Sequence, residues 1–361
     1  MRALRLTRAR PATYVAWIAA VLVVSAALVA AFVPSAIDVT SPRSGSAPAK
    51  DCGCPPSTLS PGTKAPSVEQ LDTVMGSRGF ERVAAGRGKG PSFIVASFNV
   101  LGATHTRGPD RRKGYATAER RLPAQLDLLA AKDVSVAGLQ EFQYPQVAQL
   151  RSRAGDTWSI YPGTQLGDWL SDNSIIWRTA QWTAVQTRTV EVPYFGNRMT
   201  PMPYVLLEHV ASGRRVWFAN FHNPADVAGD VRRLRARATR IESRLAARLG
   251  ADGTPVIVTG DMNDREEFAC PFARATGMRS SDGVVNDASG CVLPRRMEID
   301  WIFGTRNLTF SHHVADRSTQ DRKLSDHPLV SAKAVLPSGE DRPGCRSRMS
   351  RGGVVRYCPA A

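Results

Sequence analysis

Apolar residues recur along the middle of this chain with two different periods. Short runs of β-branched and aromatic residues, such as Phe93-Ile94-Val95-Ala96 and Val256-Ile257-Val258, each lead into a polar group, Asn99 after the first and Asp261 after the second. Runs of that length and composition predict buried strands. Between them, Leu122 to Ala131 and Val231 to Leu249 carry apolar residues three and four apart, which predicts helices. Strands alternating with helices make the fold α/β. In the second helix Val231, Leu234, Ala238, Ile241, Leu245 and Leu249 form the inner face and Gly250 ends it. Its other faces carry Arg232, Arg233, Arg235, Arg237, Arg240, Arg244 and Arg248, a pattern that reads first as a solvated helix surface and second as a track for nucleic acid.

Upstream the pattern changes character. Tyr14 to Val33 holds no charge and, at ~1.5 Å per residue, is long enough to cross a ~30 Å hydrocarbon core. Arg2, Arg5, Arg8 and Arg10 precede it, so the positive-inside rule leaves residues 1–13 in the cytoplasm and everything after Pro34 outside. The expectation is a single-pass membrane protein with the remainder of the chain outside. A signal peptide cut near Ala30-Ala31 is the rival and would make the protein secreted. Residues 34–90 are a Pro-, Ser- and Gly-rich stalk with a short lead-in helix expected at Val68 to Met75. One domain of about 246 residues follows, 91–336, and then a Cys-containing tail, 337–361.

Charge and cysteine content sharpen this picture. The net charge is +15, and the four arginines before the apolar stretch leave +11 for the rest, which suits an anionic substrate. Six cysteines, Cys52, Cys54, Cys270, Cys291, Cys345 and Cys358, all follow that stretch, as expected of an oxidising compartment. Pairing Cys270 with Cys291 would staple a loop of the domain, and pairing Cys345 with Cys358 would tie down a polar tail. Cys52-Gly53-Cys54 lacks the spacing of a redox or zinc pair. His312-His313 has no zinc-type partners and reads as a surface turn.

The strand ends carry the chemistry. Asn99, Glu141, Asp261 with Asn263, and Asp326 with His327 place carboxylates, amides and an imidazole where strands leave the core, the usual position of active-site groups. On an extended chain Asp261 and Asn263 face one side while Met262 faces the core. Asp326 and His327, being neighbours, face opposite sides and suit a division of labour between metal and water. Asp300, in the apolar run Met297 to Phe303, is placed to accept a hydrogen bond from His327 and fix its tautomer as a general base.

In order, Asn99, Glu141, His222, Asp261, Asn263, Asp300, Asp326 and His327 resemble the endonuclease/exonuclease/phosphatase superfamily, whose members include secreted DNases, abasic-site endonucleases, bacterial sphingomyelinases and inositol-polyphosphate phosphatases. The likeness runs from about Pro91 to Leu336. Its strongest piece is Trp217-Phe218-Ala219-Asn220-Phe221-His222-Asn223-Pro224, a basic helix, and then Val256 to Asn263. The resemblance implies a four-layer α/β/β/α sandwich of the DNase I-like kind. It implies Mg²⁺, with Mn²⁺ or Ca²⁺ as alternatives, held by Asn99 and Glu141 with Asp326 nearby. It casts Asp261 and Asn263 as groups orienting nucleophile and phosphate, His222 as a phosphate contact or proton donor, and Asp300 with His327 as the water-activating pair. Asn173, Arg178 and Asn223 are substrate-contact candidates. Where some relatives carry an acid two residues after the first Asn, this chain has Leu101, one potential ligand fewer.

The function expected is metal-dependent hydrolysis of a phosphodiester, with nucleic acid first among substrates. Positive charge supports it, as do aromatics that could line a groove, Trp158, Tyr161, Trp169, Tyr194 and Tyr204. A phosphodiesterase or phosphatase for phospholipid headgroups or small phosphoesters is the alternative, and a catalytically silent surface-binding module is an alternative of another class. The membrane is a partner through the anchor. The sequence implies no protein partner.

Overall fold

The computed structural model describes residues 65–83, 90–167, 172–227, 231–337, 345–351 and 353–360. The apolar stretch 14–33, the stalk up to residue 64, Cys52, Cys54 and Trp169 lie outside the described residues. Among those described, no helix is long and apolar enough to cross a membrane.

The helices are α1 (Val68–Gly76), α2 (Ala118–Ala131), α3 (Tyr144–Ala154), α4 (Val231–Leu249), α5 (Glu266–Thr276) and the single turn α6 (Ser318–Asp321). Strands β1 to β5 are Phe80–Val83, Ser92–Asn99, Val134–Gln140, Trp158–Tyr161 and Asn173–Arg178. Strands β6 to β9 are Trp182–Pro193, Met199–His209, Arg215–His222 and Val256–Asp261. Strands β10 to β13 are Arg279–Ser280, Val285–Asp287, Gly290–Val292 and Asp300–Gly304. Thr309–Asp316, Leu329–Val335, Arg346–Ser350 and Gly353–Pro359 are β14 to β17.

Two six-stranded mixed sheets form the centre, ordered β14-β15-β2-β3-β5-β4 and β10-β13-β9-β8-β7-β6. Each is built around one parallel pair, β2 with β3 and β8 with β9, flanked by antiparallel neighbours. Three apolar layers hold the stack together. Val95, Val136, Val205 and Ile257 pack between the sheets. Phe98, Ala137, Leu122 and Leu150 join the first sheet to α2 and α3. Ala219, Val258, Leu245 and Phe272 join the second sheet to α4 and α5. The resulting order of helices, sheet, sheet and helices is the sandwich expected. Burial in strands such as β3 and β9 is continuous rather than alternating, because both faces of each sheet are covered.

That interior contains a polar knot. Asn220 Nδ2 donates to Leu139 O (2.9 Å) and Ser174 O (3.2 Å) in the other sheet. Its Oδ1 accepts from Gln140 Nε2 (2.6 Å) and Thr259 Oγ1 (3.1 Å). The sheets approach so closely here that a Cβ on Gly138 would collide with Thr259 Oγ1 and Asn220 Oδ1.

Several expectations need adjustment. The inner face of α4 includes Arg235, only 3% exposed, whose guanidinium meets Asp264 (2.8 Å) and Asp226 (3.0 Å), so this arginine is not on the solvated surface. Asp300 opens its strand instead of lying within a longer apolar run. His312-His313 lies at a bulge in β14, not in a turn, with His313 Nδ1 2.8 Å from Ser281 Oγ. Cys270 and Cys291 are bonded, as are Cys345 and Cys358. The lead-in and the tail also pair with each other. Strands β1, β17 and β16 form a three-stranded sheet on which α1 packs Leu71 and Met75 against Tyr357.

Gly138→Ala is expected to cost about 2 to 3 kcal/mol, since neither the buried amide nor the threonine can retreat. Chemical unfolding measures this. Gly76→Ala, where no atom lies within 4 Å of the added methyl, is the control expected to stay near wild type.

Candidate active site

The register of the sheets brings the strand-end groups to one edge. Asn99 ends β2 and pairs with Gln140 at the end of β3, so Glu141 follows immediately beside it. His222 ends β8 opposite Asp261 at the end of parallel β9. Antiparallel β13 and β5 begin where those strands stop, placing Asp300 opposite Asp261 and Asn173 opposite Gln140. Asp326 and His327 enter the same edge just before β15, where Ser325 Oγ donates to Asn99 O (2.6 Å).

The chain bends sharply at this edge. Leu101, Glu141 and Asn263 adopt positive φ of 58°, 57° and 51°, a region costly for residues other than glycine and found where function demands a particular aim. Because Asn263 is left-handed, it does not continue the extended alternation expected from Asp261. Its N–H donates to Asp261 Oδ1 (3.1 Å) and its Nδ2 to Asn223 O (2.8 Å), while Met262 enters the core as expected.

Asp261 is the hub. Its Oδ2 accepts from Asn99 Nδ2 (3.1 Å) and lies 3.6 Å from both His222 Nε2 and His327 Nε2. His327 Nδ1 lies 2.9 Å from Asp300 Oδ2, the pairing anticipated from sequence. Burial pulls the His327 imidazole down, but Asp300 and Asp261 outweigh it and raise its proton affinity. Burial pushes the Asp300 carboxyl up, opposed by His327. Burial likewise pushes Glu141 up, yet His222, His105, the Asn99 amide and the Gly102 N–H together hold it below its ordinary value.

Asn99 lies between the two carboxylates Glu141 and Asp261. Its Oδ1 accepts from Leu101 N (3.0 Å), while its Nδ2 faces Glu141 Oε1 (3.0 Å) and Asp261. As placed, the amide offers its hydrogens to the carboxylates, and its oxygen keeps one lone pair beyond the Leu101 N–H. The side chains of two substrate-contact candidates are not brought to the site. Arg178 ends β5 at the opposite edge, stacked over Trp158 at 4.4 Å and donating to Val134 O. Asn223 turns its buried side chain inward toward Glu242 Oε2 (3.5 Å). Trp158, Tyr161 and Tyr204 belong to the core, whereas Tyr194 and Asn173 line a cavity of ≈ 960 Å³ next to Glu141 and His222.

Some participants escaped the sequence reading. His105 stands 3.3 Å from Glu141 and lines the cavity, as do Arg198 and Asp172, whose carboxyl is raised by burial. Arg112 pairs with Asp326. Arg121 is buried in α2, and its guanidinium donates to Val100 O (2.6 Å), Leu101 O (2.6 Å), Leu324 O (2.7 Å) and Ala116 O (3.0 Å). It thereby clasps the bend after Asn99 to the segment before Asp326. The signal was present in sequence: Ala118, Arg121, Leu122, Gln125 and Leu129 fall on one helical stripe, so two polar residues sit on a buried face.

The donor set suits a hard divalent cation. Glu141, Asp261, Asp300 and Asp326 supply oxygen, and Asp326 Oδ1 is buried with no hydrogen-bond partner. Asp261, Asp300 and His327 also present ligand atoms all within 4.8 Å of one another. The hydrogen bond between His327 and Asp300 engages those two groups with each other, and Glu141, Asp261 and Asp326 are the remaining carboxylates that could hold a cation.

The Endonuclease/Exonuclease/phosphatase family matches residues 96–327, a span that contains every strand-end group from Asn99 to His327. The chain belongs to this family. It is a hydrolase of the family's phosphoesterase type, and such enzymes generally depend on divalent metal. No curated protein matches the chain. Among solved structures, a family protein from Bacteroides thetaiotaomicron is 17% identical, with 69% of this chain and 99% of that one covered at a TM-score of 0.54. A mannosyl-6-phosphatase from the same organism is 18% identical, covering 68% and 100% at 0.52. D. rerio TDP2 complexed with a single-strand DNA product is 17% identical, covering 67% and 98% at 0.51. At these identities the likeness speaks for the fold.

Two outcomes follow from the buried charges. Arg121→Lys keeps a cation but cannot fork to four carbonyls, so stability is expected to fall by about 2 to 4 kcal/mol, read by chemical unfolding. Burial pushes Glu242, under Asn223, from 4.5 up to about 8. A carboxyl raised in the folded state gives stability that is complete below its unfolded pKa and lost as pH rises through the folded one. The melting temperature of the wild type is therefore expected to drop between about pH 5 and about pH 9 more than that of Glu242→Gln. Equal drops would remove Glu242 from the account.

Proposed function

We propose that this protein is an extracytoplasmic, Mg²⁺-dependent phosphodiester hydrolase acting on nucleic acid. The observation that carries the reading is the convergence of His222 Nε2 and His327 Nε2 on Asp261, each at 3.6 Å, with His327 backed by Asp300 at 2.9 Å. With Nδ1–H donated to Asp300, His327 turns Nε2 toward the site and takes the proton of the attacking water. Asp300 holds that tautomer and stabilises the imidazolium that forms. His222, on the other side of Asp261, donates to a phosphoryl or leaving-group oxygen. Asn99 bridges Glu141 and Asp261 by donating to both, and Asn263 locks Asp261 from the backbone side. Glu141 and Asp326 would hold Mg²⁺, which supplies charge neutralisation to the phosphoryl group.

Nucleic acid is favoured by the net charge of +15 and by the single-strand DNA product bound to D. rerio TDP2. Placement outside the cytoplasm is favoured by the uncharged stretch at 14–33 and by the two disulfides, with a membrane anchor or a secreted form following from whether that stretch is retained. A compact phosphoester is the second reading. It draws on the ≈ 960 Å³ cavity, a volume suited to a small ligand, and on the mannosyl-6-phosphatase likeness.

The test incubates the full-length protein and Mg²⁺ with supercoiled DNA, RNA, a phospholipid and a sugar phosphate, alongside His327→Ala and a chelator. Nucleic-acid cleavage is expected, abolished by the chelator and lowered about 10²- to 10⁴-fold by the substitution. Turnover of sugar phosphate or lipid alone would transfer the assignment to the second reading. Silence on all four, with metal bound, would point to a binding module.

A further inference from the structure

The arginines that α4 leaves in solvent are arranged as a ladder. Arg233, Arg237, Arg240, Arg244 and Arg248 follow one another at steps of four, three, four and four residues, and all are exposed. At ~100° and 1.5 Å per residue they trace one gently turning stripe over about 22 Å. Among the described residues no carboxylate stands within ion-pair distance of Arg240, Arg244 or Arg248. Arg240 and Arg244 also border a groove of ≈ 390 Å³ against α5 in which Glu267 is the only acid of the lining.

The ladder begins at the wall of the catalytic cavity. Arg237 Nη1 donates to Asn197 Oδ1 (3.0 Å), and the next three residues after Asn197, Arg198, Met199 and Thr200, line that cavity. Cavity and ladder are therefore joined through one short turn. Within the cavity, Tyr144 and Met199 are 49% and 38% exposed, large apolar surfaces on which an unpaired base can stack. A path from a pocket onto the outer face of a helix suits a flexible polyanion.

We propose that α4 carries an extended binding site for the phosphate backbone of single-stranded nucleic acid, continuing the substrate path from the cavity past Arg198 along Arg237, Arg240, Arg244 and Arg248. This rests on the nuclease reading for its substrate, but its test is separable. The full-length protein carrying His327→Ala, which prevents cleavage, is titrated with fluorescent single-stranded oligonucleotides of about 4 and about 20 nucleotides over a range of salt. The same is done after adding Arg240→Gln, Arg244→Gln and Arg248→Gln together, and Arg244→Gln alone as a milder variant.

The triple change is expected to weaken the longer oligonucleotide about 10-fold or more, with the salt slope of log affinity falling by about 2, and by about 0.7 for the single change. Binding of the short oligonucleotide is expected to stay unchanged, as is hydrolysis of a small diester by the same arginine variants with His327 intact. Equal affinities and slopes for both lengths would overturn the ladder. So would an equal loss on the short oligonucleotide, which would mark a cavity defect, or arginine-dependent binding to anionic vesicles without any to oligonucleotides. Ladder-dependent binding without cleavage of any nucleic acid would sink the nuclease reading and leave the ladder standing. Cleavage of long strands that is indifferent to the ladder would do the reverse.

Discussion

The active site depends on two sheets being held at one fixed offset, and Asn220 does the holding. Its carboxamide gives both hydrogens to carbonyls of the opposite sheet and receives Gln140 from that sheet and Thr259 from its own. In a dry interior each such group, left unpaired, costs about 1 to 3 kcal/mol, so sliding one sheet over the other is penalised several times at once. The knot is also close to the chemistry. Gln140, Asn220 and Thr259 lie one or two residues before Glu141, His222 and Asp261. Fixing the first three therefore sets where the last three can be, and Asn99 completes the bridge by donating to Glu141 and Asp261 from either side of the divide.

Beyond the strand ends the backbone itself is aimed. Leu101, Glu141 and Asn263 are left-handed, and such conformations persist only where surrounding contacts over-determine them. Here those contacts are visible. Arg121 and Gln125 gather the carbonyls of Val100 and Leu324, and Arg121 adds that of Leu101, so α2 anchors two catalytic segments from behind. The Glu141 carboxylate accepts from the Gly102 N–H at 2.7 Å, closing the bend on the other side. A helix on the outside of the sandwich thus determines geometry on its edge.

Much of this was legible in the sequence, for physical reasons that differ from group to group. The alternation of buried strands and amphipathic helices is a hydrophobic signal repeated many times, and α4 ends where Gly250 said it would. The pairing of His327 with Asp300 was legible because each stands at or just before the start of a buried strand, β15 in one sheet and β13 in the other, at the edge where the strand-end groups of both sheets meet. The turning of Asn263 was not, since one left-handed residue ends the two-residue alternation from which its direction was inferred. Arg235 and Asn223 were misplaced for a related reason. Each is polar, and polarity alone does not say whether a partner waits inside, as Asp264 and Glu242 do. The amide of Asn99 reads equally well as ligand or as donor, and the fold shows the donor half directly, with Nδ2 given to Glu141 and Asp261.

The small sheet formed by the lead-in and the tail gives the catalytic domain a knotted purse-string. Its first and last strands, β2 and β15, are already neighbours, and beyond them β1 pairs with β17 again, with Arg351 N bonded to Pro66 O and Ala360 N to Gly79 O. Fraying from a chain end is the ordinary way in for proteases and for unfolding. In this protein fraying from either end meets that outer closure, with its disulfide and the α1 packing, before it reaches a strand that carries a catalytic group. Wear at the termini is thereby uncoupled from the integrity of the site.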